Sequence, residues 1–183
     1  MRAFVALDLP PGAEAPLVHL QERLPLGRAT DPDTFHVTLA FLGEEVDDET
    51  LGMVHDGLAA LRLPPVPVAV TGLGTLGSAS PAILMAEVAL TSELETLQAR
   101  VASCARRAGL TLERRRFRPH VTLARFRHRV AGADLERLRR FLEAEARFRL
   151  EPVPVTSFAL YASTLTKAGP VHEELARYRL GGL

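Results

Sequence analysis

The tetrapeptide HVTL occurs twice in this chain, at residues 36–39 and again at 120–123. In an extended strand, side chains at i and i+2 share a face. His36 and Thr38 therefore stand on one side of the first copy, with Val37, Leu39 and Phe41 on the other. His120 and Thr122 repeat the arrangement, backed by Val121 and Leu123. Each copy demands a strand that buries one side and presents an imidazole and a hydroxyl on the other. A single HVTL is ordinary strand composition, and a lone histidine in an apolar strand is usually structural. Recurrence at corresponding points of two half-chains is what carries a functional reading. Two such strands facing each other make a symmetric acid/base site with hydroxyls placed for an anion.

Both half-chains carry the same order of elements. Residues 2–9 read as a strand and 11–24 as a helix with proline in its first turn. Residues 34–42 form the first motif strand, ended by Gly43, and 47–61 a helix with Leu51, Val54, Leu58 and Leu61 on one face. A strand over 66–72 and a Gly/Ser-rich loop over 72–81 follow, the loop being the best-placed crossover. The order then restarts. A strand spans 82–90, and a helix spans 92–108, capped by Thr91 or Ser92 and stopped by Gly109. The second motif strand covers 117–126. A helix over 135–149 turns Leu135, Leu138, Leu142 and Ala146 inward, and a strand covers 153–161. Residues 173–180 read as a last strand or a short helix. The expected fold is α+β and bilobal: two pseudo-symmetric β-α-β-α-β halves with antiparallel sheets facing a central cleft. The halves span about 1–73 and 82–161 of a single catalytic domain over 1–183, and the pattern leaves open whether strands exchange between lobes.

A chain of 183 residues buries a core without staples. Its formal net charge is zero, so no global field draws it to nucleic acid or to an anionic membrane. Every basic residue except Lys167 is an arginine, and seven arginines fall between Arg114 and Arg129, around the second motif. The guanidinium fork suits phosphate. In a neutral chain, that segment beside a His/Thr pair points to a small or terminal phosphate, not to a long nucleic-acid track. Arg118 lies two residues before His120 and shares its side in a regular strand, a regularity that Pro119 disturbs. Simple alternation puts Arg125 with Val121 and Leu123. Phe41 and Phe117 are candidates to pack in the core or to stack on a base. His19, His55, His128 and His172 match no motif and read as ordinary solvated residues. Cys104 sits on the apolar stripe Leu94, Leu97, Val101, Cys104, Ala108 and reads as a buried small hydrophobe. One cysteine permits no intrachain disulfide, which fits a reducing, cytoplasmic compartment. The segment MRAFVALDLP reads as a first strand, not a signal peptide, and no window approaches a membrane span.

Two histidines divide acid and base work at neutral pH. One takes a proton from the attacking water or hydroxyl and the other supplies one to the leaving oxygen, as in-line transfer at phosphorus requires. Thr38 and Thr122 then donate to the non-bridging oxygens. Without a metal, a cyclic phosphodiester is the natural substrate, because its ring brings strain and a defined leaving oxygen. No HExxH, His/Cys cluster, Walker A loop or GxSxG elbow is present, so neither a metal nor a cofactor is expected.

The blocks MRAFVALDLP at 1–10, FHVTLAFLG at 35–43, FRPHVTLAR at 117–125 and SFALYASTL at 157–165 resemble, in this order, the two-histidine phosphoesterase superfamily. Within it they are most similar to the bacterial and archaeal RNA 2′,3′-cyclic phosphodiesterases, also named 2′-5′ RNA ligases. The resemblance implies a bilobal α+β enzyme that needs no metal and opens a 2′,3′-cyclic phosphate to a 2′-phosphomonoester. It implies His36 as proton donor to the departing 3′-oxygen, His120 as the base that activates water, and Thr38 and Thr122 as the motif hydroxyls. Arg118 and Arg125 stand where the family has arginine. The sequence symmetry by itself does not assign the two histidine roles. The chain departs from the family in lacking a tryptophan in ATDPDT at 29–34, in Met85 within ILMAEV at 83–88, and in Thr164 where arginine is common. Aromatic platforms supply much of single-strand affinity, so these changes bear on RNA binding. The expected partner is an RNA or nucleotide with a 2′,3′-cyclic phosphate end, bound by a monomer away from membranes. Two other readings use the same residues: joining of tRNA halves through a 2′-5′ bond, and a non-catalytic module for terminal phosphates.

Overall fold

The computed structural model describes residues 1–167 and 169–181. Its elements run β1 (Ala3–Asp8), α1 (Glu14–Gln21), β2 (Arg28–Ala29), a 3-10 turn (Pro32–Thr34), β3 (His36–Gly43), α2 (Asp48–Ala59), β4 (Val66–Leu76), β5 (Ile83–Val88), α3 (Ser92–Arg107), β6 (His120–Arg125), α4 (Gly132–Ala144), β7 (Leu150–Val155), β8 (Ser157–Thr166) and β9 (Gly169–Arg179). The strands form two antiparallel sheets, ordered β3-β1-β8-β9 and β2-β6-β5-β4-β7. Among the described residues no helix is long and apolar enough to cross a membrane.

The strand orders carry a pseudo-twofold. β3, β1, β8 and β9 of one sheet correspond to β6, β5, β4 and β7 of the other. The last strand of each half lies in the sheet begun by the other half: β4 joins β5, and β8 joins β1. Apart from the two-residue β2, which pairs with β6, the chain crosses between sheets ahead of β4 and returns between β7 and β8. The helices cross as well. α1 packs on β6, and α3 packs on β3 and β4. Leu17 and Leu20 of α1, and Leu94, Leu97, Val101 and Cys104 of α3, are buried beneath the motif strands, where Val37, Leu39, Val121 and Leu123 meet them. Removing this much apolar surface from water is the main stabilising contribution.

Several boundaries differ from the sequence reading. The first half of the loop expected over 72–81 is strand: β4 continues to Leu76 and forms a hairpin with β5. Its glycines make room for a side chain at Gly74 and for the turning backbone at Gly77. A Cβ on Gly74 would stand 2.6 Å from Glu87 Oε1, and one on Gly77 at the hairpin end 2.0 Å from Ser80 O. The strand expected over 153–161 is two strands, β7 and β8, in different sheets. The tail is strand and starts earlier, at Gly169, because it pairs with β8 along its length. The helices are shorter than expected at 11–24 and 135–149; the latter starts at Gly132 and ends at Ala144.

Two helix starts are capped by side chains. Thr91 Oγ1 accepts from Leu94 N at 3.2 Å, and Asp47 Oδ1 accepts from Thr50 N at 2.8 Å. The backbone hydrogen bond from Thr50, with its hydroxyl also donating, holds the Asp47 carboxyl below its usual range. Thr91→Ala is expected to lower stability by about 1 kcal/mol, read as a shifted urea midpoint with unchanged slope. An unshifted midpoint would show that the cap contributes nothing.

Candidate active site

The two motif strands meet where the sheets meet. β3 is the edge of its sheet, and β6 is covered only by the two-residue β2. The two strands lie against each other. His36 Nδ1 is 2.7 Å from Thr34 O, and His120 Nδ1 is 2.7 Å from Arg118 O. A carbonyl oxygen only accepts, so in both rings Nδ1 carries a proton and donates it. Each Nε2 is left to gain or lose the exchangeable proton. The same backbone oxygen, two residues upstream, sets both tautomers. His36 Nε2 stands 3.0 Å from Thr38 Oγ1.

The registers explain where simple alternation fails. Val5 pairs with Ala40 and Ala6 with Thr38, which leaves Leu39 without an opposite number. Leu84 pairs with Ala124 and Met85 with Thr122, which leaves Leu123 without one. The leucine of each HVTL is thus the extra residue of a β-bulge. Leu39 and Ala40, and likewise Leu123 and Ala124, are buried in succession, and the facing of later residues reverses. Arg125 accordingly joins His120 and Thr122 in the cleft, contrary to its expected place with Val121 and Leu123. Phe41, its pseudo-symmetric equivalent, leaves the side of Val37 and Leu39 for the same reason. It is exposed, with the Arg2 guanidinium 4.6 Å over its ring, and does not line the cleft. Both bulge carbonyls are held by glutamines. Gln98 Nε2 of α3 donates to Leu39 O at 3.4 Å. Gln21 Nε2 of α1 donates to Leu123 O and to Thr30 O, each at 2.8 Å.

The cleft has a volume of about 750 Å³ and is lined by His36, Thr38, His120 and Thr122, with Arg28, Arg125 and Arg127 beside them. The end of the β8–β9 hairpin forms a further wall through Thr166, Pro170, Val171 and His172. His172 is therefore not the ordinary solvated residue that the sequence suggested. It is half-buried and edge-on to His36, with ring centroids 5.4 Å apart. Nothing in its local pattern marks it; pairing of β9 with β8 brings it in. Arg118 lies outside the strand, exposed, 3.7 Å from Glu87 Oε1, and Phe117 packs on the core; neither lines the cleft.

A family described as the 2′-5′ RNA ligase superfamily matches residues 9–165. The chain belongs to this superfamily. It is 30% identical over 198 aligned positions to the RNA 2′,3′-cyclic phosphodiesterase of Thermus thermophilus, an alignment that covers 100% of this chain and 91% of that protein. It is 26% identical over 179 positions to the Archaeoglobus fulgidus protein of the same name, covering 96% and 98%. The crystal structure of E. coli LigT complexed with 3′-AMP superposes with a TM-score of 0.79 at 25% identity, covering 99% of this chain and 98% of that one.

In this member of the superfamily the two motif histidines sit in unlike surroundings. Burial lowers the His36 pKa to about 4. The hydrogen bond to the Thr34 carbonyl opposes that shift, while His172, His120 and Arg125 add to it by repulsion. His36 is thus neutral at pH 7. His172 is lowered as well, first by burial and then by Arg2 and Arg125.

The linkage has a definite sign. Below its unfolded value of 6.5, the unfolded chain binds a proton at His36 that the folded chain refuses until about pH 4. Stability is therefore expected to fall as pH drops from 6.5 toward 4, and to be unaffected by this group above 6.5. The shift corresponds to about 3 kcal/mol. Urea denaturation at several pH values in this window is expected to show the loss in the parent and a markedly smaller loss in His36→Gln. Equal losses in both proteins would remove His36 as the cause.

Proposed function

We propose that this protein hydrolyses the 2′,3′-cyclic phosphodiester at the end of an RNA or nucleotide to a 2′-phosphomonoester, without a metal. The single observation that carries this reading is the paired geometry. Two imidazoles, each with Nδ1 tied to a backbone carbonyl, present Nε2 to one cleft that also holds Thr38, Thr122 and Arg125. The names of the T. thermophilus and A. fulgidus relatives support the same reaction, and the 3′-AMP in the LigT crystal supports a nucleotide-sized ligand.

In the proposed mechanism, His120 Nε2 takes a proton from water as the water oxygen attacks phosphorus. The P–O3′ bond breaks on the opposite side, and His36 Nε2–H delivers its proton to O3′. The 2′-ester bond remains. Thr38 and Thr122 donate to the non-bridging oxygens, and Arg125 balances the negative charge that builds there. In this scheme the substrate itself loads His36: a phosphate anion favours the imidazolium that burial disfavours. Arg118, outside the cleft lining, then acts on more distal parts of the nucleotide or only in its pair with Glu87. The buried, unpaired Cys104 fits action in a reducing cytoplasm.

The test is hydrolysis of an oligoribonucleotide ending in a 2′,3′-cyclic phosphate, with and without EDTA. Turnover that survives EDTA and yields a 2′-phosphate is expected, and no turnover, or turnover only with added metal, would refute the mechanism. His36→Ala and His120→Ala are each expected to lower kcat by roughly 10²–10⁴-fold. A second substrate separates their roles. With a p-nitrophenyl phosphodiester the leaving group needs no acid, so His36→Ala is expected to lose far less activity than His120→Ala. The reverse order would exchange donor and acceptor. Ligation of tRNA halves that outpaces hydrolysis would make end-joining the main activity.

A further inference from the structure

The two motifs account for both sides of the cleft except for one ring. His172 enters from β9, where it pairs in register with Ser163 of β8. It meets His36 edge-on, with an interplanar angle of 86°. Phe4 on β1 closes the triangle, 4.9 Å from His36 and 4.8 Å from His172 between centroids. Tyr161 of β8 stacks on Phe4 at 5.3 Å and 18°. Tyr161 is itself anchored, its hydroxyl donating to Asp8 Oδ1 at 2.9 Å, and Arg177 pairs with the same carboxylate. His36 is therefore packed into a cluster of rings whose far end is tied to an ion pair.

The pseudo-twofold shows what is special about this cluster. Phe4 falls opposite Phe41, and the equivalent place beside His120 is Ile83, opposite Arg125. The strand equivalent to β9 is β7, LEPVPV, which contains no aromatic ring. Among the described residues, no aromatic ring packs on His120 as Phe4 and His172 do on His36. The His172 Nδ1 atom is buried and has no hydrogen-bond partner among the described residues. A charged ring would leave that donor unsatisfied, so His172 is at home only when neutral. It works by packing, not by hydrogen bonding.

We propose that His172 is a positioning residue that wedges the His36 imidazole against Phe4, holding it in one orientation and keeping water from one of its sides. Its consequence for turnover rests on the reading of function above; the brace itself does not. The groups that bear on His36 come from four elements. β9 brings His172, and β6 brings His120 and Arg125. β1 brings Asp8, the register partner of His36, whose carboxylate is already engaged by Tyr161 and Arg177. The 3-10 turn and the residue before it bring Asp33 and Asp31 to the recess shared by Phe4, His36 and His172. Arg2 acts on His172. With the ring of His172 gone, water reaches His36, and the relief of its burial raises its proton affinity.

The experiment follows the His36 imidazole by histidine-labelled NMR through a pH titration of the whole chain, in the parent, His172→Ala and His172→Phe. In His172→Ala the His36 midpoint is expected to rise toward the ordinary histidine value, and His172→Phe, which keeps a flat ring, is expected to restore most of the parent midpoint. On a 2′,3′-cyclic nucleotide, His172→Ala is expected to lower kcat about tenfold or more with KM changed less than about threefold, and Phe to recover most of it. An unchanged His36 midpoint in His172→Ala overturns the proposal, as does a Phe variant that behaves like the Ala variant. A raised KM with unchanged kcat also overturns it and makes His172 a substrate contact. If the parent itself turns over no cyclic phosphate, the functional reading fails while the titration still decides the brace. Should His172→Ala not fold, His172→Ser, which also removes the ring and opens the place to water, replaces it in the same titration, with the same rise expected.

Discussion

One extra residue in each motif strand decides what the cleft contains. Strict alternation would keep Leu39 and Leu123 in the core and return Ala40 and Ala124 to the cleft side. The bulges at the two leucines instead bury both residues of each pair, and the strand beyond turns its other side to the cleft. Arg125 gains its place by the second bulge, and Phe41 loses its apolar neighbours by the first. An unpaired carbonyl at a bulge is costly in a dry interior. Gln98 and Gln21, one from the first helix of each half, reach across to donate to those oxygens, the Leu123 oxygen also accepting from Thr30 N at 2.9 Å. The helix of one half thus stabilises the irregularity that shapes the motif strand of the other.

Strand exchange gives this arrangement its stiffness. Neither half contains a complete sheet, since β4 and β8 each complete the sheet of the other half. Separating the halves would break the ladders β4–β5 and β1–β8 along their length and expose Val66, Val68, Val70, Phe158 and Leu160. A cleft built between sheets that share strands is held by hydrogen bonds and buried apolar area in the same elements. Side chains on rigid strands keep their spacing better than side chains on loops, which is what positioning about a single phosphorus requires.

The pseudo-twofold is broken where chemistry benefits from a difference. Both motif histidines have the same tautomer for the same reason, the carbonyl two residues upstream. Only His36 is pressed against Phe4 and His172, and burial there pushes its pKa down to about 4. The difference arises from what the remaining strands bring to each side, β9 with an imidazole and β7 with valine and proline.

The duplicated HVTL determined much by itself: two motif strands, an apolar backing for each, and histidine and threonine pairs that share a side. Those are consequences of a period of two and of residues that read the same way in any sheet. The helices at 48–59 and 92–107 were legible for a similar reason, since apolar spacing and an N-terminal Asp or Thr are local signals. Tertiary structure alone decided the rest. Gly74 reads as loop, yet lies in a strand because it pairs with Met85 of β5, and the Glu87 carboxylate fills the space its side chain would take. The facing of Arg125 depends on a register against β5, and register is a property of two strands, not of one. His172 carries no local pattern; it enters the cleft only because β9 pairs with β8 beside β1, a contact between the two ends of the chain that no periodicity within either end encodes.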